Sequence, residues 1–127
     1  MIKIEDFHHI SLSVTDIEAS KHFYGKILGF AEIKRPDFGF PGAWYQIGSA
    51  QLHLIQNSKA ETLRESSKLD SRDGHFAIRV KSYDQTLQFL KENKIEVLEK
   101  PNSKSGFAQI FCSDPDHNLI EFNVEQS

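Results

Sequence analysis

An internal repeat constrains the fold of this chain more than any other feature of its sequence. The segments His9–Val14 and His75–Val80 lie 66 residues apart, and in each an opening histidine is followed by alternating apolar and other residues. This alternation is typical of a strand with one buried face. Each segment runs into a helix start signal that fits a capping box, Thr15–Glu18 in the first copy and Ser82–Gln85 in the second. The sequence therefore predicts two copies of one strand–helix unit.

Short strand candidates follow each helix and are separated by glycine and proline residues. They lie at about 30–35, 43–47 and 50–56 in the first half, and at about 95–99, 107–112 and 118–124 in the second. Each half therefore reads β-α-β-β-β. We predict an α+β fold in which two such modules form a curved mixed sheet around a cavity, with the helices on the outer face.

The two modules are expected to belong to one domain. We predict a single domain over 1–127, built from repeats 1–57 and 73–127. Residues 58–72 are polar and are interpreted as a solvated linker, with a lid over a site as the alternative. A half of about 60 residues is marginally stable alone. The halves should therefore pair, within one chain or across a dimer.

Composition and charge exclude several classes of protein. The net charge of −3 over 127 residues argues against a nucleic-acid partner, since phosphate binding needs a basic face. No apolar run approaches the ~20 residues of a membrane span, and the acidic N-terminal residues do not suit a signal peptide. The single cysteine, Cys112, fits a reducing compartment. We expect a cytoplasmic protein with a small-molecule partner and no membrane or nucleic-acid partner.

Four potential metal ligands share the face opposite the apolar residues. His9 and His75 open the repeated strands, and His53 and Glu121 lie 68 residues apart in the last strands of the two halves. Taken singly, a histidine on a strand is usually a hydrogen-bonded structural residue, and Glu121 on an edge strand would be exposed to water. Their coincidence on one face favours a metal site. Imidazole and carboxylate groups suit Zn, Ni, Co, Mn or Fe.

An ordered set of motifs runs along the chain, at 9–16, 20–24, 27–30, 51–54, 74–80 and 114–122. Together they resemble the motifs of the vicinal oxygen chelate superfamily. The resemblance covers nearly the whole chain and is specific for the fold but much less so for the reaction. The superfamily includes glyoxalase I, methylmalonyl-CoA epimerase, extradiol dioxygenases, thiol transferases that inactivate fosfomycin, and bleomycin-binding proteins.

The resemblance implies paired βαβββ modules around a metal, with His9, His53, His75 and Glu121 as its ligands. Glyoxalase I-like members assemble each site from two subunits, which implies a homodimer. Glyoxalase I commonly has a second acidic ligand where this chain has His53, so its proton-shuttling chemistry does not transfer directly. The closing turn usually has glycine where this chain has His117.

We predict a divalent-metal-dependent, glyoxalase-like enzyme of the isomerase or lyase type, acting on a small oxygenated substrate chelated by the metal. Glu121 is the only acidic residue among the four ligands and is the candidate catalytic residue, able to move a proton. The alternatives are a metal-free drug-binding protein of the bleomycin-resistance type, or a thiol transferase or dioxygenase on the same fold.

Aromatic and polar residues of the inner strands are candidates for lining the cavity. Those in or near the strands are Phe38, Phe40, Trp44, Tyr45, Gln46, Gln109 and Phe111. From this set we predict Trp44, Gln109 and Phe111 as substrate-binding residues, together with Arg79. Arg79 shares the ligand face of its strand and suits an anionic group.

Overall fold

A computed structural model describes the whole chain, residues 1–127, as two compact units. The first unit is Met1–Leu63 and the second is Arg64–Ser127, so the boundary falls inside the predicted linker. Residues 58–72 contain turns but no helix or strand. The assignment of the whole chain to a single domain stays a prediction.

The first unit has a four-stranded mixed sheet. Its elements are β1 (His9–Val14), α1 (Ile17–Lys21), a π-helical segment (His22–Ile27), β2 (Ala31–Ile33), β3 (Gly42–Ile47) and β4 (Ala50–Gln56). The strand order is β1-β4-β3-β2. Strand β1 is parallel to β4, and the other pairs are antiparallel.

The second unit repeats this topology. Its elements are β5 (His75–Arg79), α2 (Tyr83–Glu92), β6 (Leu98–Lys100), β7 (Phe107–Ser113) and β8 (Leu119–Glu125). The strand order is β5-β8-β7-β6, again with one parallel pair, β5 with β8. The predicted α+β class and the βαβββ order of each module are confirmed.

The helix starts agree with the sequence prediction to within one residue. Ser82 accepts a hydrogen bond from the backbone N–H of Gln85, as the capping pattern predicts. In the first unit the capping residue is Asp16 rather than Thr15, because the Asp16 carboxylate reaches the backbone N–H groups of Glu18 and Ala19. Carboxylates at this position stabilise helices by satisfying free N–H groups.

The first helix differs from the prediction in its second half. The helical spacing of apolar residues from Ile17 to Leu28, followed by Gly29, predicts one continuous helix. Instead, α1 ends at Lys21 and a π-helical segment follows it. The wider turn accompanies the burial of two consecutive aromatic residues, Phe23 and Tyr24, at 7% and 0% exposure. Segments of this kind are rare and are often found near functional sites. No helix is long and apolar enough to cross a bilayer.

The apolar strand faces form the core of each unit together with the helices. In the first unit the side chains of Tyr24, Tyr45, Leu52 and Leu54 are fully buried. In the second unit the corresponding core contains Leu90, Ile110, Cys112 and Ile120. Phe89 of α2 is 40% exposed, whereas its neighbour Leu90 is 1% exposed and belongs to the core.

Buried acidic hydroxyl and thiol groups predict a loss of stability at alkaline pH. Burial, with smaller contributions from Glu32 and Glu18, raises the pKa of the Tyr45 phenol to about 12. Burial also raises the pKa of the Cys112 thiol to about 12. The folded state therefore keeps protons that the unfolded chain releases at lower pH. We expect the free energy of unfolding, measured with urea, to be constant up to about pH 9 and to fall by roughly 2 kcal/mol or more towards pH 12.

Tyr45→Phe provides the control for this pH dependence. The Tyr45 hydroxyl is buried without a hydrogen-bond partner, so its removal should leave stability at pH 7 unchanged or higher. The variant should also lose less stability than the parent chain at alkaline pH. If the two proteins lose stability equally as pH rises, Tyr45 does not contribute to the alkaline pH dependence.

Candidate functional site

The strand registers place the four predicted ligands at equivalent positions of the two sheets. In the first sheet, His53 of β4 pairs with Ser11, two residues after His9. In the second sheet, Glu121 of β8 pairs with the residue two positions after His75. The two pairs therefore match in register, although their separations along the sequence differ by two residues. Each unit contributes one histidine from its edge strand and one further donor from the adjacent parallel strand.

His9 and His53 form the first pair. Their imidazole rings stack with centroids 4.1 Å apart and planes at 17°. His53 is only 7% exposed, and its Nε2 lies 2.9 Å from the Gln51 Oε1. Because this oxygen only accepts, Nε2 carries the proton. The Nδ1 of the preceding residue, His8, lies 2.7 Å from Nδ1 of His9.

The surroundings of His53 favour its neutral form. Burial lowers the pKa of this imidazole, and the nearby His9, His8 and Arg35 side chains lower it further. A neutral ring whose Nε2 donates to Gln51 has a lone pair on Nδ1. Metal ligation requires a neutral imidazole, so the ring is in the state that a ligand needs.

His75 and Glu121 form the second pair. His75 Nε2 lies 3.1 Å from Glu121 Oε1. The Nδ1 of His75 donates to the backbone carbonyl of Asp73 over 2.8 Å. In a neutral ring, Nε2 therefore directs its lone pair at the carboxylate. Two such acceptors at this distance require a proton or a metal cation between or beside them. Donation from the second ring nitrogen to a carbonyl is typical of metal-bound histidine.

Glu121 is buried and held by a chain of hydrogen bonds. The residue is 4% exposed, and its Oε2 accepts a hydrogen bond of 2.6 Å from Nδ2 of Asn123. Arg79 Nε donates to Oδ1 of the same asparagine over 2.6 Å. Sequence reasoning missed Asn123 as a site residue. The signal was present, because the alternation of β8 puts Asn123 on the face of Glu121.

Two of the predicted substrate residues lie directly beside the ligand pairs. Trp44 pairs with His53 in register and stacks on its ring, with centroids 4.1 Å apart and planes at 7°. Phe111 pairs with Glu121 in register, and its ring meets that of His75 edge to face at 5.2 Å. Each ligand pair therefore has an aromatic neighbour from the next strand of its own sheet.

The other two predicted substrate residues lie further along the second sheet. Gln109 pairs with Asn123 in register, which places it on the face of Glu121. Arg79 is already engaged: besides its bond to Asn123, it donates to Glu125 over 3.1 Å and lies 5.0 Å from the Phe107 ring. Substrate contact by these residues stays a prediction.

The donor set fits a divalent metal ion. The structure brings His9 together with His53 in the first unit, and His75 together with Glu121 in the second. The structure contains no single group of three or more histidine, cysteine, aspartate or glutamate side chains that could hold a metal. The four residues therefore stand as two pairs, and their ligation of one ion stays a prediction. Imidazole and carboxylate groups are ligands that Zn, Ni, Co, Mn and Fe accept.

His117 occupies the position of the closing turn at which the sequence resemblance predicts glycine. It adopts a left-handed backbone conformation, with φ of 68°, which glycine adopts with less strain. The turn is held by Asp114, whose carboxylate accepts hydrogen bonds from the backbone N–H groups of Asp116 and Asn118. The turn thus keeps its shape without glycine and delivers the chain into β8.

Comparisons with known proteins agree with this fold. A family model described as the Glyoxalase/Bleomycin resistance protein/Dioxygenase superfamily matches residues 6–122. Glyoxylase I 4 of Arabidopsis thaliana is 28% identical over 123 residues, covering 94% of this chain and 71% of that protein. Metallothiol transferase FosB of Staphylococcus epidermidis is also 28% identical, over 97% of this chain and 84% of its own.

A solved structure extends the comparison to three dimensions. The crystal structure of a glyoxalase family protein from Bacillus anthracis superposes with a TM-score of 0.82, covering 98% of each chain at 23% identity. At this identity the likeness supports the fold alone.

Proposed function

Because this chain belongs to the glyoxalase/bleomycin resistance protein/dioxygenase superfamily, we propose that it is a divalent-metal-dependent, glyoxalase-like enzyme. The proposed reaction is an isomerisation or a lyase reaction on a small compound with two neighbouring oxygens. The observation that carries the proposal is the pairing of His75 Nε2 with Glu121 Oε1 at 3.1 Å, matched in register by His9 and His53 in the other sheet.

All four donors are proposed to act on one ion. His9, His53, His75 and Glu121 would hold it, either from one chain or from two chains of a homodimer. A bound divalent ion would supply Lewis-acid stabilisation of negative charge on the substrate oxygens. Three imidazoles and one carboxylate leave up to two positions of a six-coordinate ion for those oxygens.

Glu121 has the proposed catalytic role of moving a proton. It is the one carboxylate of the set, and its Oε1 faces the ring of His75. Asn123 holds Oε2 at 2.6 Å and fixes the direction in which Oε1 points. A general base so positioned accelerates a proton transfer by about 10²- to 10⁴-fold. The network through Asn123 and Arg79 keeps the carboxylate in place while Oε1 exchanges its proton.

The aromatic neighbours are proposed to orient the substrate. Trp44 and Phe111 lie beside the two ligand pairs and present apolar surface next to polar donors. Gln109 is proposed as a hydrogen-bonding contact and Arg79 as an electrostatic one. Concave sites with apolar walls and few polar groups are typical of small-molecule pockets.

Elemental analysis and one enzyme assay test the proposal. We expect the purified protein to bind a stoichiometric divalent ion and, once loaded, to isomerise the hemithioacetal of methylglyoxal and glutathione. His75→Ala should lower metal content and activity together, whereas His22→Ala, which replaces a histidine outside the ligand set, should change neither. A protein that binds no Zn, Ni, Co, Mn or Fe would contradict the proposal and favour metal-free sequestration of a small molecule.

Thiol transfer is the second candidate function. The likeness to a metallothiol transferase spans 97% of this chain. The proposed ligand set has a single carboxylate and so lacks a second acidic group for a proton shuttle. An ion held by this set would still stabilise negative charge on an oxygen that a thiol displaces. Incubation of the metal-loaded protein with fosfomycin and a thiol separates the two functions. Formation of a thiol adduct by a protein that leaves the hemithioacetal unchanged would favour the transferase.

A further inference from the structure

Arg35 lies in the loop that joins β2 to β3, and its side chain packs against the start of β3. A Cβ atom added to Gly42 would lie 2.7 Å from both Cζ and Nε of Arg35, closer than real Cβ contacts allow. The guanidinium therefore lies directly on the backbone of Gly42. The Phe38 and Phe40 rings are also close, with Cζ of Arg35 4.8 Å and 5.1 Å from their centroids. Packing, rather than hydrogen bonding, fixes this side chain.

The charge of Arg35 has no acidic partner in the chain. Its Nε is buried without a hydrogen-bond partner, and the ion pairs of the chain involve other basic residues. Arg79 makes the contrast clear, because hydrogen bonds to Asn123 and Glu125 already engage it. Contacts with ring faces leave the in-plane N–H donors of a guanidinium available. Arg35 is thus a positioned cation with no hydrogen bond or ion pair within the chain.

A strip of aromatic rings connects Arg35 to the ligand pair of the same unit. The Phe38 ring lies 6.1 Å from that of Trp44, which stacks on His53. Phe38 and Phe40 are 50% and 44% exposed, although both are large apolar side chains. Exposed apolar surface beside an unpaired cation matches a ligand that has an apolar part and a negative charge.

We propose that Arg35, Phe38, Phe40 and Trp44, here called the Arg35 cluster, bind an organic anion. Its carboxylate or similar oxyanion accepts hydrogen bonds from Arg35, and its planar apolar part lies against Phe38 and Trp44. The identification of this anion as the substrate rests on the proposed function. The substrate would then be an oxygenated organic anion whose metal-chelating end lies near His53. Binding of the anion itself does not require the metal.

Trp44 makes this inference directly measurable, because it is the only tryptophan of the chain. Benzoate serves as the probe and benzamide as its neutral counterpart of the same shape. With metal removed by EDTA, we expect benzoate to change the Trp44 fluorescence saturably and to bind about 10-fold tighter than benzamide. Ligand-observed NMR measures the same two affinities independently of fluorescence.

Two variants distinguish a specific effect of the Arg35 guanidinium from a general effect of nearby positive charge. Arg35→Met keeps the apolar stem and should weaken benzoate binding about 10-fold, removing the preference over benzamide. Lys34→Met removes the neighbouring exposed positive charge and should change benzoate binding less than about twofold, since screened surface charges contribute little. Circular dichroism and urea unfolding verify that both variants are folded.

The outcomes distinguish this inference from the proposed function. Equal affinities for benzoate and benzamide, equal losses in the two variants, or no binding by either method would overturn it. Zinc binding is titrated separately. A protein that prefers benzoate through Arg35 but binds no zinc would contradict the proposed function and leave the anion site standing. Zinc binding without a preference for benzoate over benzamide would contradict the anion site and leave the proposed function standing.

Discussion

Replacing Glu121 by glutamine is expected to lower the affinity of the protein for Zn²⁺ or Ni²⁺ by about 100-fold or more. The substitution keeps the size of the side chain but removes the only carboxylate of the proposed ligand set. Loss of an outer partner of a metal ligand already costs 10- to 100-fold, so loss of a ligand should cost at least as much. Activity with any substrate should fall further, because the same group is proposed to move the proton. Competition titration with a chromophoric chelator measures the affinity.

Glu125→Gln is the matched control for this substitution. Glu125 lies on the same strand, but its side chain is 69% exposed and pairs with Arg79 near the surface. Surface ion pairs contribute little, so metal affinity should stay within about threefold of the parent protein. Equal metal affinity in the Glu121 and Glu125 variants would remove Glu121 from the ligand set, and with it the chemistry proposed above.

Gly42→Ala is expected to destabilise the fold by about 2 kcal/mol or more. The added Cβ would lie 2.5 Å from the backbone oxygen of Leu54, as well as 2.7 Å from Arg35. The Arg35 side chain is able to move aside, but the oxygen belongs to β4, the strand paired with β3, so the main chain itself must shift. Forcing extra volume into a packed position typically costs 1–3 kcal/mol. The urea midpoint at pH 7 measures the loss.

Gly74→Ala controls for the general effect of replacing a glycine. An added Cβ at Gly74 meets no atom within 4 Å, and its backbone is not in the left-handed region. This variant should be neutral or up to about 1 kcal/mol more stable, because alanine restricts the unfolded chain. Equal stability of the Gly42→Ala and Gly74→Ala proteins would contradict this prediction, because it would show that a Cβ atom fits between β3 and β4 at Gly42.

The sequence predicted the faces of the strands because their signal is local. Alternation with a period of two assigns each side chain to a face without knowledge of the partners. The repeat then related His9 to His75 and His53 to Glu121, and the parallel registers agree with that correspondence. The α+β class and the βαβββ order of elements along each module follow from the same pattern. Assembly of the four ligands around one ion stays a prediction.

Features that depend on contacts between distant segments were not predictable. The π-helical segment has no periodicity of its own, and it accompanies the burial of Phe23 and Tyr24 against the sheet. The position of Arg35 depends on the missing side chain of Gly42, seven residues further along the chain. Asn123 shared a face with Glu121 in the sequence pattern, but the 2.6 Å hydrogen bond that gives it a role appears only in three dimensions.

The matched registers have a consequence for how such a chain can diversify. The interval between paired donors is two residues longer in the second half, yet His53 and Glu121 occupy the same rung of their ladders. Length changes are thus absorbed by the connecting segments and leave the donors where they were. Segments such as 34–41 are free to acquire new recognition surfaces by insertion or exchange. Chimeras that exchange these connectors between homologues should alter selectivity while retaining the four proposed ligands.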